Sequence, residues 1–95
     1  MPLDHVTREQ ARWALLRYLD AASVSSPGRG IPTPVLRQHL IAEGFRPDLA
    51  ETESLCRYLE GKRLVERAEK PLSPEVADWR ITADGQDAYA ARFEG

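Results

Sequence analysis

Only one cysteine, Cys56, occurs in the 95 residues. A lone thiol excludes an intrachain disulfide and fits a reducing, cytoplasmic setting as the default. No run of 18 apolar residues is present, so no membrane span is expected. The opening stretch Met1-Pro2-Leu3-Asp4-His5 lacks the basic patch and apolar run of a secretion signal. Histidine is almost as scarce. His5 and His39 each stand alone, with no Cys, His or paired acid at ligand spacing, so no metal or organic cofactor is expected. The glycine-rich phosphate loop is missing too: Gly28-Arg29-Gly30 is a turn and not a G-x-G-x-x-G run. With no Ser/His/Asp grouping suggested by spacing, the chain reads as a binding module and not as an enzyme. Net charge is −2, distributed as +2 over residues 1–42, −1 over 43–70 and −3 over 71–95. No segment is basic enough to hold a polyanion by bulk attraction alone.

What the chain does have is an ordinary globular balance, 42% hydrophobic and 29% charged. Its length suits one small domain over residues 1–95. Residues 7–22 read as a first helix, with Thr7 as N-cap and Gln10 at capping-box spacing. Ala11, Leu15, Leu19 and Ala22 share a stripe with Tyr18 beside it, while Arg8, Arg12 and Arg17 face solvent. Residues 23–32 form a Ser/Gly/Pro loop in which Ile31 adds a short extended segment. Thr33-Pro34 signals a second helix, cap followed by proline at N1, with Val35, Leu36, His39 and Leu40 as its apolar side. Gly44 is placed to end it.

Pro47-Asp48 opens a third helix, with Pro47 at N1 and Asp48 and Glu51 near the positive end of its dipole. It is expected to run to about Lys62, burying Thr52, Leu55, Cys56 and Leu59. Cys56 within that stripe reads as a small buried hydrophobe. Residues 64–68 and 76–82 have strand character and make a hairpin with a long tip over 69–75. Alternation buries Trp79 and Ile81 and exposes Arg80. Thr82 then caps a last helix over 83–93, with Tyr89 and Phe93 on its apolar face.

The resulting order is helix, short segment, helix, helix, hairpin, helix. It predicts a mainly α fold: a three-helix core, a two-stranded wing and a C-terminal helix, the plan of a winged helix-turn-helix. Two stretches sharpen this. Leu55-Cys56-Arg57-Tyr58-Leu59-Glu60-Gly61-Lys62-Arg63-Leu64-Val65-Glu66-Arg67 resembles the junction of third helix and wing in winged-helix regulators. Trp79-Arg80-Ile81-Thr82-Ala83-Asp84-Gly85 resembles their junction of wing and final helix. The resemblance spans residues 7–93 and is closest to small winged-helix proteins of Mu-like prophages. It departs at Arg63, where those junctions carry a glycine before the Leu-Val pair, so an irregular end to the third helix is expected.

The resemblance implies double-stranded DNA as partner and a role in transcription regulation, with the third helix reading DNA. Ser54, Arg57, Tyr58 and Lys62 would lie on its outward face, with Glu51 opposing phosphate, and Arg67 and Lys70 on the wing. The bland alternative pairs these charges with one another, as Glu53–Arg57, Arg57–Glu60 and Glu66–Arg67–Glu69. The competing class is a protein-interaction or phage-assembly module that binds no DNA. Trp13, Tyr89 and Phe93, from the two terminal helices, are candidates for a homodimer interface, or simply for packing within one chain.

Overall fold

The computed structural model describes residues 4–25, 29–68 and 77–93. Four helices and a small antiparallel sheet follow one another as α1 (His5–Ser25), β1 (Ile31–Pro32), α2 (Thr33–Ala42), α3 (Leu49–Gly61), β2 (Val65–Arg67), β3 (Asp78–Ile81) and α4 (Ala83–Phe93). The sheet order is β1-β3-β2, so the short extended segment at Ile31 joins the hairpin as a third strand. Ile31 pairs with Trp79 and Val65 with Ile81. The expected tip of the hairpin, including Lys70, lies outside the described residues, as do residues 26–28 of the expected loop.

One apolar cluster holds these elements together. Leu15, Leu16 and Leu19 of α1 meet Leu36 and Leu40 of α2, Leu55, Cys56 and Leu59 of α3, and Val65, Trp79 and Ile81 of the sheet. The α3 stripe is as expected, with Thr52, Leu55, Cys56 and Leu59 buried. In α1 the buried face is wider than the expected stripe, since Ala14 and Leu16 are buried as well and Ala22 is only half-buried. Val35, expected on the apolar side of α2, is instead 42% exposed, because α2 turns only Thr33, Leu36 and Leu40 inward. Trp79 and Ile81 are buried and Arg80 is half-exposed, following the alternation. Asp78 is buried as well, although it shares the outward phase of Arg80; β3 is the middle strand and is flanked on both edges.

Helix starts depart from expectation by a few residues, each for a local reason. α1 begins two residues before Thr7, because the Asp4 carboxylate accepts the Thr7 N–H at 2.7 Å and so supplies the cap. Its C-terminal end runs to Ser25, three residues past the expected end. In α2 the cap position is Pro32, not Thr33. The Thr33 hydroxyl is drawn away into the sheet, donating to the Ala77 carbonyl at 3.1 Å and accepting the Trp79 indole N–H at 2.9 Å. Pro47 precedes the cap of α3 and does not sit at N1. Asp48 is the cap, in a reciprocal box: its carboxylate accepts the Glu51 N–H at 2.7 Å and Glu51 accepts the Asp48 N–H at 3.4 Å.

The ends of α2 and α3 are built alike. At the first, Gly44 takes φ 99°, Gly44 N–H reaches Ile41 O at 3.0 Å and Phe45 N–H reaches Leu40 O at 3.0 Å. At the second, Arg63 takes φ 63°, Arg63 N–H reaches Glu60 O at 2.9 Å and Leu64 N–H reaches Leu59 O at 3.0 Å. Both are the Schellman closure. The expected irregular end of α3 is therefore corrected: the helix closes regularly, and the cost falls on Arg63, a non-glycine residue held in the left-handed region. Arg63→Gly should raise stability by about 1 kcal/mol, read as a higher urea midpoint. A lower midpoint would show that the Arg63 side chain contributes more than its backbone costs.

The junction of the sheet with α4 completes the frame. The Thr82 hydroxyl accepts the Gly85 N–H at 2.9 Å, as an N-cap, and donates to the Arg63 carbonyl at 2.7 Å. One threonine thus ties the start of α4 to the end of α3.

Candidate nucleic-acid interface

α3 presents exposed polar surface beside another exposed element, and its turn geometry decides which side chains lie together. With 100° between residues, the buried stripe leaves Ala50, Ser54, Arg57 and Gly61 along the outward ridge, all exposed. Glu53 and Glu60 flank this ridge on the side of β2, where Glu60 meets Arg67 at 3.3 Å. Glu51, Tyr58 and Lys62 flank it on the side of α1, where Arg12 stacks on the Tyr58 ring at 3.7 Å from its centroid. The structure therefore brings Ser54, Arg57 and Arg67 to one surface and sets Tyr58 and Lys62 on the opposite shoulder of the helix.

The charges on that surface are paired. Arg57 bonds Glu53 at 2.9 Å, one turn earlier, as the spacing predicts. Glu60 takes Arg67 at 3.3 Å and Glu66 takes Arg80 across the hairpin at 2.8 Å, while Glu69 of the expected Glu66–Arg67–Glu69 group lies outside the described residues. These partners come from separate elements, so local spacing could not supply them. All three pairs are substantially exposed and contribute little to stability. Their consequence is for binding: an anion approaching Arg57 or Arg67 must compete with a carboxylate already in place.

The remaining sequence candidates fall into quieter roles. Trp13 and Tyr89 are half-buried and pack against the chain's own core, with Arg92 lying 5.1 Å from the Trp13 ring centroid. Intrachain packing thus accounts for part of each of these two rings, and the Phe93 side chain lies outside what the structure describes. His39 is half-buried and stacks on Tyr18 with ring centroids 4.1 Å apart. Burial is the main cause holding its pKa below the ordinary value; Glu43 at 3.5 Å opposes this and Arg17 adds to it. Arg17 itself pairs with Glu43. The Cys56 thiol is pushed up to about 12, chiefly by burial and then by Glu53 and Glu60, which suits a packing residue and not a nucleophile. Among the described residues no group of three or more His, Cys, Asp or Glu side chains could hold a metal ion. No described helix is long and apolar enough to cross a membrane.

Sequence reasoning misses Arg12. Helical spacing places it on a solvated face, yet it is half-buried and covers Tyr58. Only the packing of α1 on α3 reveals this. No family model matches the chain, and no curated protein matches it.

Proposed function

We propose that the chain is a winged-helix module that binds duplex DNA through α3, with the β2–β3 hairpin as its wing, and acts as a small bacterial or prophage transcription regulator. The observation that carries this reading is the exposed pair Ser54 and Arg57 on α3, with Arg67 of β2 alongside, held by Glu60 at the flank of the same helix. It lies on the outward ridge of the second helix of an α2–turn–α3 unit, beside a hairpin. A helix presented in this way fits a major groove, and an adjacent strand can reach a flanking phosphate. Arg57 suits a two-point contact with guanine; Lys62, on the shoulder, suits a phosphate.

A second reading has a specific observation in its favour. Arg57 and Arg67 are already paired with carboxylates, and the net charge is −2. A face of alternating charge is suited to docking another protein, with Tyr58, 44% exposed, as an aromatic anchor.

Charge variants separate the two. If DNA binds, Arg57→Ala should cost about 1–3 kcal/mol and relax preference at one base position. Lys62→Ala should weaken binding to all sequences alike and lower the salt slope by about one unit. Glu53→Gln frees Arg57 and removes a charge that repels phosphate, so it should strengthen binding. Equal affinity of all three variants and the parent for every duplex would favour protein docking.

A further inference from the structure

We infer that Arg17, His39 and Glu43 form a proton-operated latch between α1 and the C-terminal end of α2, in which one carboxylate oxygen passes from Arg17 to His39 when the imidazole takes a proton. The latch shares no residue with the surface of Ser54, Arg57 and Arg67, nor with Tyr58 and Lys62, and does not rest on the DNA reading. Arg17 of α1 donates to Oε1 of Glu43, the residue that caps the end of α2. The His39 ring stacks on Tyr18 of α1, with centroids 4.1 Å apart and planes 24° from parallel. His39 Nε2 stands 3.5 Å from the same Glu43 Oε1 that Arg17 holds. The Glu43 N–H reaches the His39 carbonyl at 3.1 Å, so the helix end fixes both side chains on one turn.

The bare ring nitrogen makes this arrangement responsive. His39 Nε2 is buried and has no hydrogen-bond partner among the described residues. A neutral imidazole tolerates that position, since its proton can reside on Nδ1. An imidazolium does not, because both nitrogens then carry a proton and a buried charged donor is costly without an acceptor. Glu43 Oε1 is the carboxylate oxygen within reach, and closing to about 2.8 Å makes a charge-assisted bond. That oxygen then faces two cations. Arg17, with half of its side chain exposed, is the one that can exchange its bond for water. Burial, the largest influence, holds the imidazole pKa below the ordinary 6.5, while Glu43 raises it and Arg17 lowers it. From the turn beyond, Arg46 is engaged by the Ile41 and Phe45 carbonyls at 3.4 and 2.9 Å. The fold therefore favours neutral His39, and the unfolded chain takes the proton first as pH falls. The stability that follows from this is present above the ordinary 6.5 and is lost as pH falls from there through the lower folded value.

The test follows the His39 ring carbons and the Arg17 Nε–H resonance by NMR in the full chain from about pH 8 to 5. His39 should titrate below 6.5, and the Arg17 resonance should move with the same titration midpoint. Glu43→Gln should lower that midpoint, because it removes the attracting charge. Arg17→Gln should raise it, because it removes a repelling charge and frees the carboxylate. Both side chains are partly exposed, so neither exchange opens the core. Urea denaturation gives a second reading. The parent should lose more stability than His39→Gln between about pH 7 and 5, with His5 and the carboxylates common to both chains. A His39 midpoint at or above 6.5, no opposite movement in the two variants, or an Arg17 resonance unchanged through the titration would overturn the inference. So would equal pH dependence of the parent and His39→Gln.

Discussion

Trp79→Ala should cost about 3–5 kcal/mol and leave the chain close to unfolded at room temperature. Trp79 is fully buried at the centre of the middle strand, where its ring is the largest in the core. It faces Ile31 on one side and Arg67 on the other. Its indole N–H also donates to the Thr33 hydroxyl, which in turn bonds Ala77 O, so one side chain links β3 to the start of α2. A domain of this size has only about 5–15 kcal/mol in hand, so the predicted loss is a large share of the whole. Trp79→Phe keeps much of the ring, loses the indole bond and should fall between the two. Urea denaturation followed by far-UV circular dichroism gives the comparison. A midpoint for Trp79→Ala within error of the parent would contradict the placement of this residue.

The second large effect is expected at Gly85. A Cβ there would stand 2.0 Å from the Leu64 carbonyl oxygen and 2.7 Å from Ile81 Cγ1. The first neighbour is backbone, and it is fixed because the same oxygen accepts the Thr82 N–H at 3.0 Å. Neither partner can yield without opening the junction between α3, the sheet and α4. Gly85→Ala should therefore destabilise by roughly 3 kcal/mol or more, the upper end of overpacking costs. Gly61→Ala is the matched control, since no heavy atom lies within 4 Å of the added carbon. At the end of α3 it should be neutral or stabilising by up to about 1 kcal/mol. Equal midpoints for the two variants would remove the close approach as the reason for glycine at position 85.

The contrast between these glycines bears on how far the sequence can be read. The run Trp79 to Gly85 is legible because each residue acts locally. Alternate strand residues face the core, Thr82 caps, and Gly85 makes room. The helices are legible from their apolar stripes, α3 above all, where the four expected residues are the four buried ones. Cap positions are less so, since two suitable residues often stand within one turn. Asp4 and Thr7 both fit the start of α1, and the choice depends on where the chain enters. Thr33 fits a cap by type, but its hydroxyl is claimed by a residue 44 positions away.

The candidate site is legible in composition but not in arrangement. Helical spacing groups Ser54, Arg57, Tyr58 and Lys62 on one broad face. It does not say that α1 occupies one shoulder of that face or that β2 occupies the other. Arg67 meets Glu60 and Arg12 meets Tyr58 only because separate elements pack against α3. Those two contacts set the outward ridge apart from its two shoulders.

The ridge is the centre of the functional reading, and one titration addresses it most directly. Fluorescence anisotropy of a labelled duplex of mixed sequence, measured with the unaltered chain from about 50 to 200 mM salt, reports whether phosphates are engaged. Binding is expected at the lower salt and should weaken as salt rises, with log Kobs falling by roughly 0.9 per phosphate neutralised for each unit of log salt. Glu53→Gln should shift the whole curve to tighter binding. No salt-sensitive binding to any duplex at about 50 mM salt, by the parent or by Glu53→Gln, would contradict DNA recognition by α3.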